Sequence, residues 1–135
     1  MLRNLALASA LLAALPAWAA TPQQLLDGYA AQARTQVAGY GGPSAANGSR
    51  FFHARHTDWS CASCHTADPT APGKHVVTGK PIAPLAPAAN AERFRDPARA
   101  EKWFKRNCND TLGRPCTTAE KADVLAYLLS AKGGA

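Results

Sequence analysis

The chain has 135 residues, which is enough for one small domain. Its formal charge is +6 at pH 7, but no run of Lys and Arg is longer than two residues. The charge therefore does not indicate nucleic-acid binding, and an acidic protein partner or an anionic membrane surface fits it better.

The first 20 residues predict a cleaved secretory signal peptide. Arg3 precedes an apolar run over residues 5–15, and Ala17-Trp18-Ala19 matches a small-x-small cleavage site. The run is shorter than the about 20 apolar residues of a membrane span, so a retained N-terminal anchor is the weaker alternative. We expect residues 21–135 to form one periplasmic domain that is not an integral membrane protein, with 14 basic and 9 acidic residues.

Two helices are predicted before the first cysteine. Thr21, Pro22 and Gln24 form a helix start with a capping residue and proline in the first turn. Residues 39–43, rich in glycine, end this helix, and a second short helix fits residues 45–55. The apolar stripe of the first helix consists of Leu25, Leu26, Tyr29, Ala33 and Val37.

A C-x-x-C-H motif follows within the stretch Trp59 to Asp68. The pattern Cys61-Ala62-Ser63-Cys64-His65 is typical of covalent haem attachment: both thiols bind the haem vinyl groups and the histidine is the proximal iron ligand. A thioredoxin-type redox pair is one alternative, but it requires a βαβ context. A zinc site completed by Cys108 and Cys116 is another. The helical context and the predicted export favour one haem c.

The sixth iron ligand is the open question. The only methionine is Met1, which would leave with the signal peptide, so a His/Met cytochrome is excluded for the mature chain. His53 and His56 precede the motif by too little to reach the opposite face of the haem easily. His75, ten residues beyond His65, is the stronger histidine candidate.

The segment from Pro69 to Pro87 is dense in proline. Proline removes a backbone donor and fixes φ, so we expect a long ordered loop without helix or β-ladder. A loop of this length in a small domain needs something to wrap around, and a haem edge would serve.

Two further helices complete an all-α prediction. Asp96 caps a helix that runs from Pro97 to about Asn107. Its Ala100, Trp103 and Asn107 share one face and suit a wall over a porphyrin. The alternative places Trp103 in the core and has Asn107 simply end the helix.

Thr117 and Glu120 predict a capping box for the last helix, residues 118–131. Cys108 and Cys116 remain, and in an exported chain a disulfide between them is the default. The apolar face of this helix consists of Val124, Leu125, Leu128 and Leu129, with Tyr127 alongside.

Residues 78–129 resemble the sphaeroides haem protein (SHP) family of monohaem c-type cytochromes. The similarity includes Arg106-Asn107-Cys108-Asn109 and the downstream cysteine, and the opening Thr21 to Tyr29 is similar too. It implies a class I cytochrome c fold with the proline-rich loop around the haem and His65 as proximal ligand. It also implies Asn107 as sixth ligand in the ferric state and a disulfide from Cys108 to Cys116. The stretch from His53 to Ser60 looks shorter than in the family.

The resemblance further implies a function. In this family the asparagine leaves on reduction, and the ferrous iron binds oxygen, nitric oxide or carbon monoxide. It implies a dihaem cytochrome c as electron donor, often alongside a membrane cytochrome b. The alternatives are a haem enzyme that reduces oxygen or converts nitric oxide, a gas sensor or buffer, and a simple electron carrier ligated by His65 and His75.

Overall fold

This computed structural model describes residues 19–133, so the predicted signal peptide lies almost wholly outside the described residues. Within this range the chain is helical, and the predicted all-α class is confirmed. None of the helices described is long and apolar enough to cross a membrane. In chain order the elements are α1 (Pro22–Gln36), α2 (Ala45–His53), α3 (Cys61–His65), β1 (Gly73–Lys74), β2 (Pro81–Ile82), α4 (Pro97–Leu112) and α5 (Thr118–Ser130).

Helix α1 begins as predicted but its apolar face is shorter. The Thr21 hydroxyl accepts from the Gln24 amide, and the Gln24 side chain accepts from the Thr21 amide, which together complete a capping box. Val37 lies past the helix end and is 44% exposed, so the prediction that it belongs to the apolar stripe was wrong. The buried residues of α1 are Leu25, Leu26, Tyr29, Ala30 and Ala33.

Helix α5 is the centre of the core. Its Ala122 and Leu125 pack with the apolar face of α1 and with Ala100 of α4. Its Val124 and Leu128 pack on Phe52 of α2. Helix α2 lies so close to α5 that a Cβ at Gly48 would collide with the backbone of Asp123, which explains why glycine occupies this position.

The ends of α2 and α4 differ from the predictions. Helix α2 ends at His53, two residues before the predicted end. Helix α4 continues five residues beyond Asn107 and ends at Leu112, where Gly113 adopts a left-handed conformation. The side chains of Asn109 and Thr111 bond back to carbonyls one turn earlier, and so do not interrupt the helix.

The proline-rich segment contains a short β-hairpin, so the prediction that it forms no ladder was wrong. Strands β1 and β2 pair antiparallel, with Gly73 opposite Ile82 and Lys74 opposite Pro81. A two-residue ladder tolerates Pro81 because an edge position does not need the missing N–H donor. Gly73 is required at this point, since a Cβ there would collide with the carbonyl oxygen of Cys64.

Candidate haem site

Helix α3 is a single turn that places both motif thiols on one side. The Ser60 hydroxyl accepts from the Ser63 amide at 3.1 Å, and the Ser63 hydroxyl accepts from the Ser60 amide at 2.9 Å. This capping box starts the helix directly at Cys61. Cys61 and Cys64 are three residues apart on that turn and both are free thiols.

The residue after the motif has an unusual backbone conformation. Thr66 adopts φ 63° and ψ 167°, a region populated almost only by glycine and costing roughly 1–3 kcal/mol elsewhere. Its hydroxyl donates to the carbonyl of Asp68 at 2.6 Å. The chain thus turns sharply away from His65, which leaves the imidazole at the end of α3.

Burial sets the protonation of the motif side chains. Burial, together with the positive charge of Arg93, lowers the pKa of His65 to about 4, so the imidazole is neutral at pH 7. Neutral imidazole is the form that binds a metal. Burial, with a smaller contribution from Cys64, raises the pKa of the Cys61 thiol to about 11. A thioredoxin-type cysteine has the opposite shift.

The zinc and dithiol alternatives do not fit this arrangement. Cys108 and Cys116 form a disulfide, as the sequence predicts, and cannot complete a zinc site with the motif cysteines. In residues 19–133 no three His, Cys, Asp or Glu side chains are grouped to hold a metal ion. The two-residue strands near the motif are antiparallel, so the βαβ context of a thioredoxin-type pair is missing from this part of the chain.

The other three histidines use their ring nitrogens in hydrogen bonds to the backbone. His53 lies between the carbonyl oxygens of Ser49 and Ala67, at 2.7 and 3.0 Å. His56 Nε2 lies 3.0 Å from the carbonyl oxygen of Phe51.

His75 is held in one tautomer by its own turn. Its Nδ1 accepts from the amides of Val77 and Thr78, each at 3.2 Å. This bonding favours the neutral tautomer with hydrogen on Nε2. Neither ring nitrogen then has a free lone pair to offer to a metal. The His75 ring is therefore committed to the hairpin.

Helix α4 carries the three predicted distal residues, and two of them are exposed. Ala100 is buried, but Trp103 is 43% exposed, so the alternative that Trp103 is a core residue was wrong. The guanidinium of Arg106 lies 5.7 Å from the centroid of the Trp103 ring. Asn107 is also exposed, inside the helix rather than at its end, and its carboxamide makes no hydrogen bond to the residues described.

A hydrogen-bonded connection joins the end of α4 to the segment before the haem motif. The amide and the hydroxyl of Thr57 both donate to the carbonyl of Thr111, at 3.2 and 2.8 Å. The Thr111 hydroxyl in turn donates to the carbonyl of Asn107 at 2.7 Å. We call these three hydrogen bonds, which connect Thr57, Thr111 and Asn107, the threonine clasp. With the disulfide at Cys108, it fixes the backbone that directly follows Asn107.

Arg93 is a site residue that the sequence analysis missed. Its Nε donates to the carbonyl of Pro84 at 2.9 Å, and its Nη2 donates to the carbonyl of Ala83 at 2.7 Å. Phe94, with φ 62°, packs into the core beside it and fixes the turn. The guanidinium is close enough to lower the pKa of His65. The only sequence signal was an arginine beside an aromatic residue, which is common in solvent-exposed turns.

The donor set of this site fits a covalently bound haem. It offers two thiols on one helical turn that are not in a disulfide, and a neutral imidazole whose ring nitrogens make no hydrogen bond to the described residues. Trp59 precedes the motif and is 39% exposed, and Trp103 lies on α4, so large aromatic surfaces are available for a flat apolar ring.

Comparisons with known proteins point to one family. A family model described as a domain of unknown function (DUF1924) matches residues 38–128. Cytochrome c-type protein SHP of Cereibacter sphaeroides is 47% identical over 114 residues, which cover 80% of this chain and 82% of that protein. Cytochrome c'' of Methylophilus methylotrophus is 45% identical over 96 residues, which cover 67% of each chain.

Solved structures of the same two proteins share the fold. The crystal structure of oxidised cytochrome c'' has a TM-score of 0.74 at 40% identity and covers 82% of this chain and 94% of that one. Oxidised SHP, described as an oxygen-binding cytochrome c, has a TM-score of 0.70 at 45% identity, with 81% and 96% covered. A solution structure of cytochrome c'', which concerns haem-ligand detachment in that protein, has a TM-score of 0.73 at 40% identity, with 81% and 92% covered. The chain therefore belongs to the SHP family of c-type cytochromes and carries one covalently bound haem c.

Proposed function

We propose that this protein is an exported electron-transfer cytochrome whose iron is ligated by Asn107 when oxidised and opens to a diatomic gas when reduced. The haem supplies a one-electron couple and one iron position at which oxygen, nitric oxide or carbon monoxide can bind. SHP is an oxygen-binding cytochrome and cytochrome c'' undergoes haem-ligand detachment, and both are similar to this chain. We extend both properties to it.

One observation carries the choice of Asn107. Each of the three rival histidines has a ring nitrogen engaged with the backbone, whereas the Asn107 carboxamide makes no hydrogen bond within residues 19–133. The threonine clasp ties the backbone of Asn107 to the segment that leads into α3. Asn107 is thus the uncommitted donor on an element held to the haem motif.

The chemistry of an amide ligand accounts for release on reduction. Its oxygen is a hard, neutral donor that suits Fe(III) better than the softer Fe(II). Because the clasp and the disulfide fix the backbone that directly follows Asn107, the change of ligation is confined to its side chain and immediate surroundings. A two-state equilibrium of this kind shifts by the difference in affinity of the two states for the ligand.

Carbon monoxide tests ligand release. We expect the reduced holoprotein to bind carbon monoxide without a slow phase, because the asparagine has already left the iron. An absorption titration through reduction, with and without the gas, measures this. A ferrous spectrum that stays six-coordinate and low-spin, and ignores the gas, would point to a histidine ligand instead.

Substitution tests the identity of the ligand. Asn107→Val should give a high-spin ferric haem, since valine offers no donor atom. Asn109→Val is a matched control on the same helix: its side chain bonds to the Lys105 carbonyl, so the ferric spectrum should stay low-spin. An unchanged ferric spectrum in Asn107→Val removes this residue from the iron.

Export is supported by the disulfide between Cys108 and Cys116, a bond that persists in oxidising compartments. The signal-like residues 1–20 are the other support. Mass spectrometry of the protein from the periplasmic fraction should find a mature chain that begins at Thr21. A chain retaining residues 1–20 in a membrane fraction would favour an N-terminal anchor.

A further inference from the structure

The hairpin between β1 and β2 ends in an ordered, exposed apolar tip. Val77 is 74% exposed and Val76 is 38% exposed. The turn is held by hydrogen bonds from the amides of Val77 and Thr78 to His75 Nδ1. The Gly79 amide also donates to the His75 carbonyl at 2.8 Å. Because the tip is already ordered, contact with a partner costs little conformational entropy there.

This tip lies at the haem attachment point. The amide of Val76 is 3.5 Å from Cys64 Sγ, the atom that holds the haem. At the base of the hairpin, Gly73 is packed on the Cys64 carbonyl. A protein bound to the tip would therefore lie next to the cofactor, as electron transfer between two proteins requires.

The hairpin itself, residues 73–82, carries lysines and no acidic residue. Lys74 and Lys80 flank the valines, are exposed, and form no ion pair with any residue in the range 19–133. The segment from Pro69 to Ala91 contains no acidic residue. We call the four side chains of this patch the hairpin surface: Lys74, Val76, Val77 and Lys80. An apolar centre with a charged rim is the usual anatomy of a transient protein interface.

We propose that the hairpin surface docks an acidic electron-transfer protein. The lysines steer the encounter by charge, and the valines give up their exposed apolar area in the complex. One electron leaves the reduced centre of the partner, which is oxidised, and the iron of this protein goes from ferric to ferrous. The proposal rests on the electron-transfer role proposed above and names the partner for it, but it does not depend on Asn107.

Stopped-flow reduction of the ferric holoprotein tests the proposal, with the hydroquinone form of a flavodoxin as the acidic probe. At low salt, the second-order rate constant of the double variant Lys74→Glu/Lys80→Glu with flavodoxin should be lower than that of the wild type by about tenfold or more. Its dependence on salt should also be weaker. Val77→Ser should lower the rate constant by a smaller factor and leave the salt dependence unchanged, because it removes apolar contact and no charge.

Two controls separate docking from other causes. Lys105→Glu changes the charge on α4 beside Asn107, and should leave the rate near that of the wild type. A small neutral hydroquinone should reduce all variants equally. The proposal is overturned if Lys105→Glu slows the flavodoxin reaction more than the hairpin variants do. It is also overturned if the hairpin variants react more slowly with the small hydroquinone to the same extent as with flavodoxin. A third contradicting result would be hairpin variants that react with flavodoxin at the wild-type rate but no longer bind phosphatidylserine vesicles.

Discussion

His65 differs from the other histidines in what surrounds it rather than in its sequence position alone. Its burial and the nearby guanidinium of Arg93 hold the ring neutral, and its nitrogens make no hydrogen bond to the residues described. The C-x-x-C-H spacing predicts that His65 is the proximal ligand. It could not predict Arg93, because the contact depends on how residues 83–93 fold back toward the motif.

At the residue scale, Arg93→Gln should lower the reduction potential of the holoprotein by some tens of millivolts. A positive charge near the iron favours the reduced state, which carries one positive charge fewer. Burial, with a contribution from Arg99, lowers the pKa of Arg93, but this guanidinium remains charged at neutral pH. Spectroelectrochemical titration measures the effect.

Arg93→Lys and Arg95→Gln are the controls for that experiment. Lysine keeps the charge and loses the forked bonds to Ala83 and Pro84, so a nearly unchanged potential would assign the effect to charge. Arg95 is an exposed arginine two residues away. An equal shift in Arg95→Gln would mean that net charge, and not the position of Arg93, sets the potential.

At the scale of elements, the sequence predicted helix starts better than helix ends. The starts at Thr21, Asp96 and Thr117 carry local capping signals, and all three were predicted correctly. The predicted end of α4 at about Asn107 was wrong, because Gly113 supplies the left-handed cap and the helix continues to Leu112. The hairpin was missed because its residues Gly73 and Val76 lie against Cys64, and no local pattern encodes that contact.

The threonine clasp should hold Asn107 of α4 in position for its proposed bond to iron. Thr57→Val removes the hydroxyl bond to Thr111 and leaves the amide bond. We expect the free energy of unfolding to fall by about 1 kcal/mol, the net value of one such bond. We also expect a fraction of the ferric protein to become high-spin, because Asn107 is less firmly placed.

Thr35→Val is the matched control for the clasp. Its hydroxyl donates to the Gln32 carbonyl at 2.7 Å on the surface of α1, far along the chain from the haem motif. It should leave the ferric spin state unchanged. If Thr57→Val is fully low-spin while Asn107→Val is high-spin, the clasp has no part in ligation although Asn107 remains the ligand.

At the scale of the whole molecule, α5 connects the layers that surround the motif. It packs on α1 and α2, its Lys121 pairs with Glu101 of α4 at 2.8 Å, and the disulfide joins α4 to the residue before its cap. Burial pushes the pKa of Glu101 up, but the hydrogen bond and charge of Lys121 outweigh it and hold the pKa below its ordinary value. The ion pair between α4 and α5 therefore depends on pH, because it is lost when Glu101 is protonated.

Glu120 at the start of α5 gives the clearest acid-dependence prediction. Arg114 donates two hydrogen bonds to its carboxylate, at 2.7 and 2.9 Å, and the Thr117 amide donates a third at 2.7 Å. These bonds, the pair with Arg114 first, lower the pKa of Glu120 below its ordinary value. Its contribution to stability is therefore full above the unfolded pKa, about 4.3, and is lost as pH falls through the lower folded pKa.

Glu120→Gln should accordingly reduce the free energy of unfolding at pH 7 by about 0.5–1 kcal/mol, a modest value because Arg114 is half exposed. Glutamine removes the charge and offers one acceptor oxygen in place of two, so the loss reports the charge together with at least one of the three hydrogen bonds. The difference from the wild type should shrink as pH falls below about 4 and vanish once the carboxyl is protonated. Denaturant titrations of the holoprotein at several pH values measure it. Glu92→Gln is the control, because Glu92 is exposed and forms no ion pair within residues 19–133, and it should show no such difference. If the difference in unfolding free energy for Glu120→Gln persisted in acid, lost packing rather than charge would explain the effect.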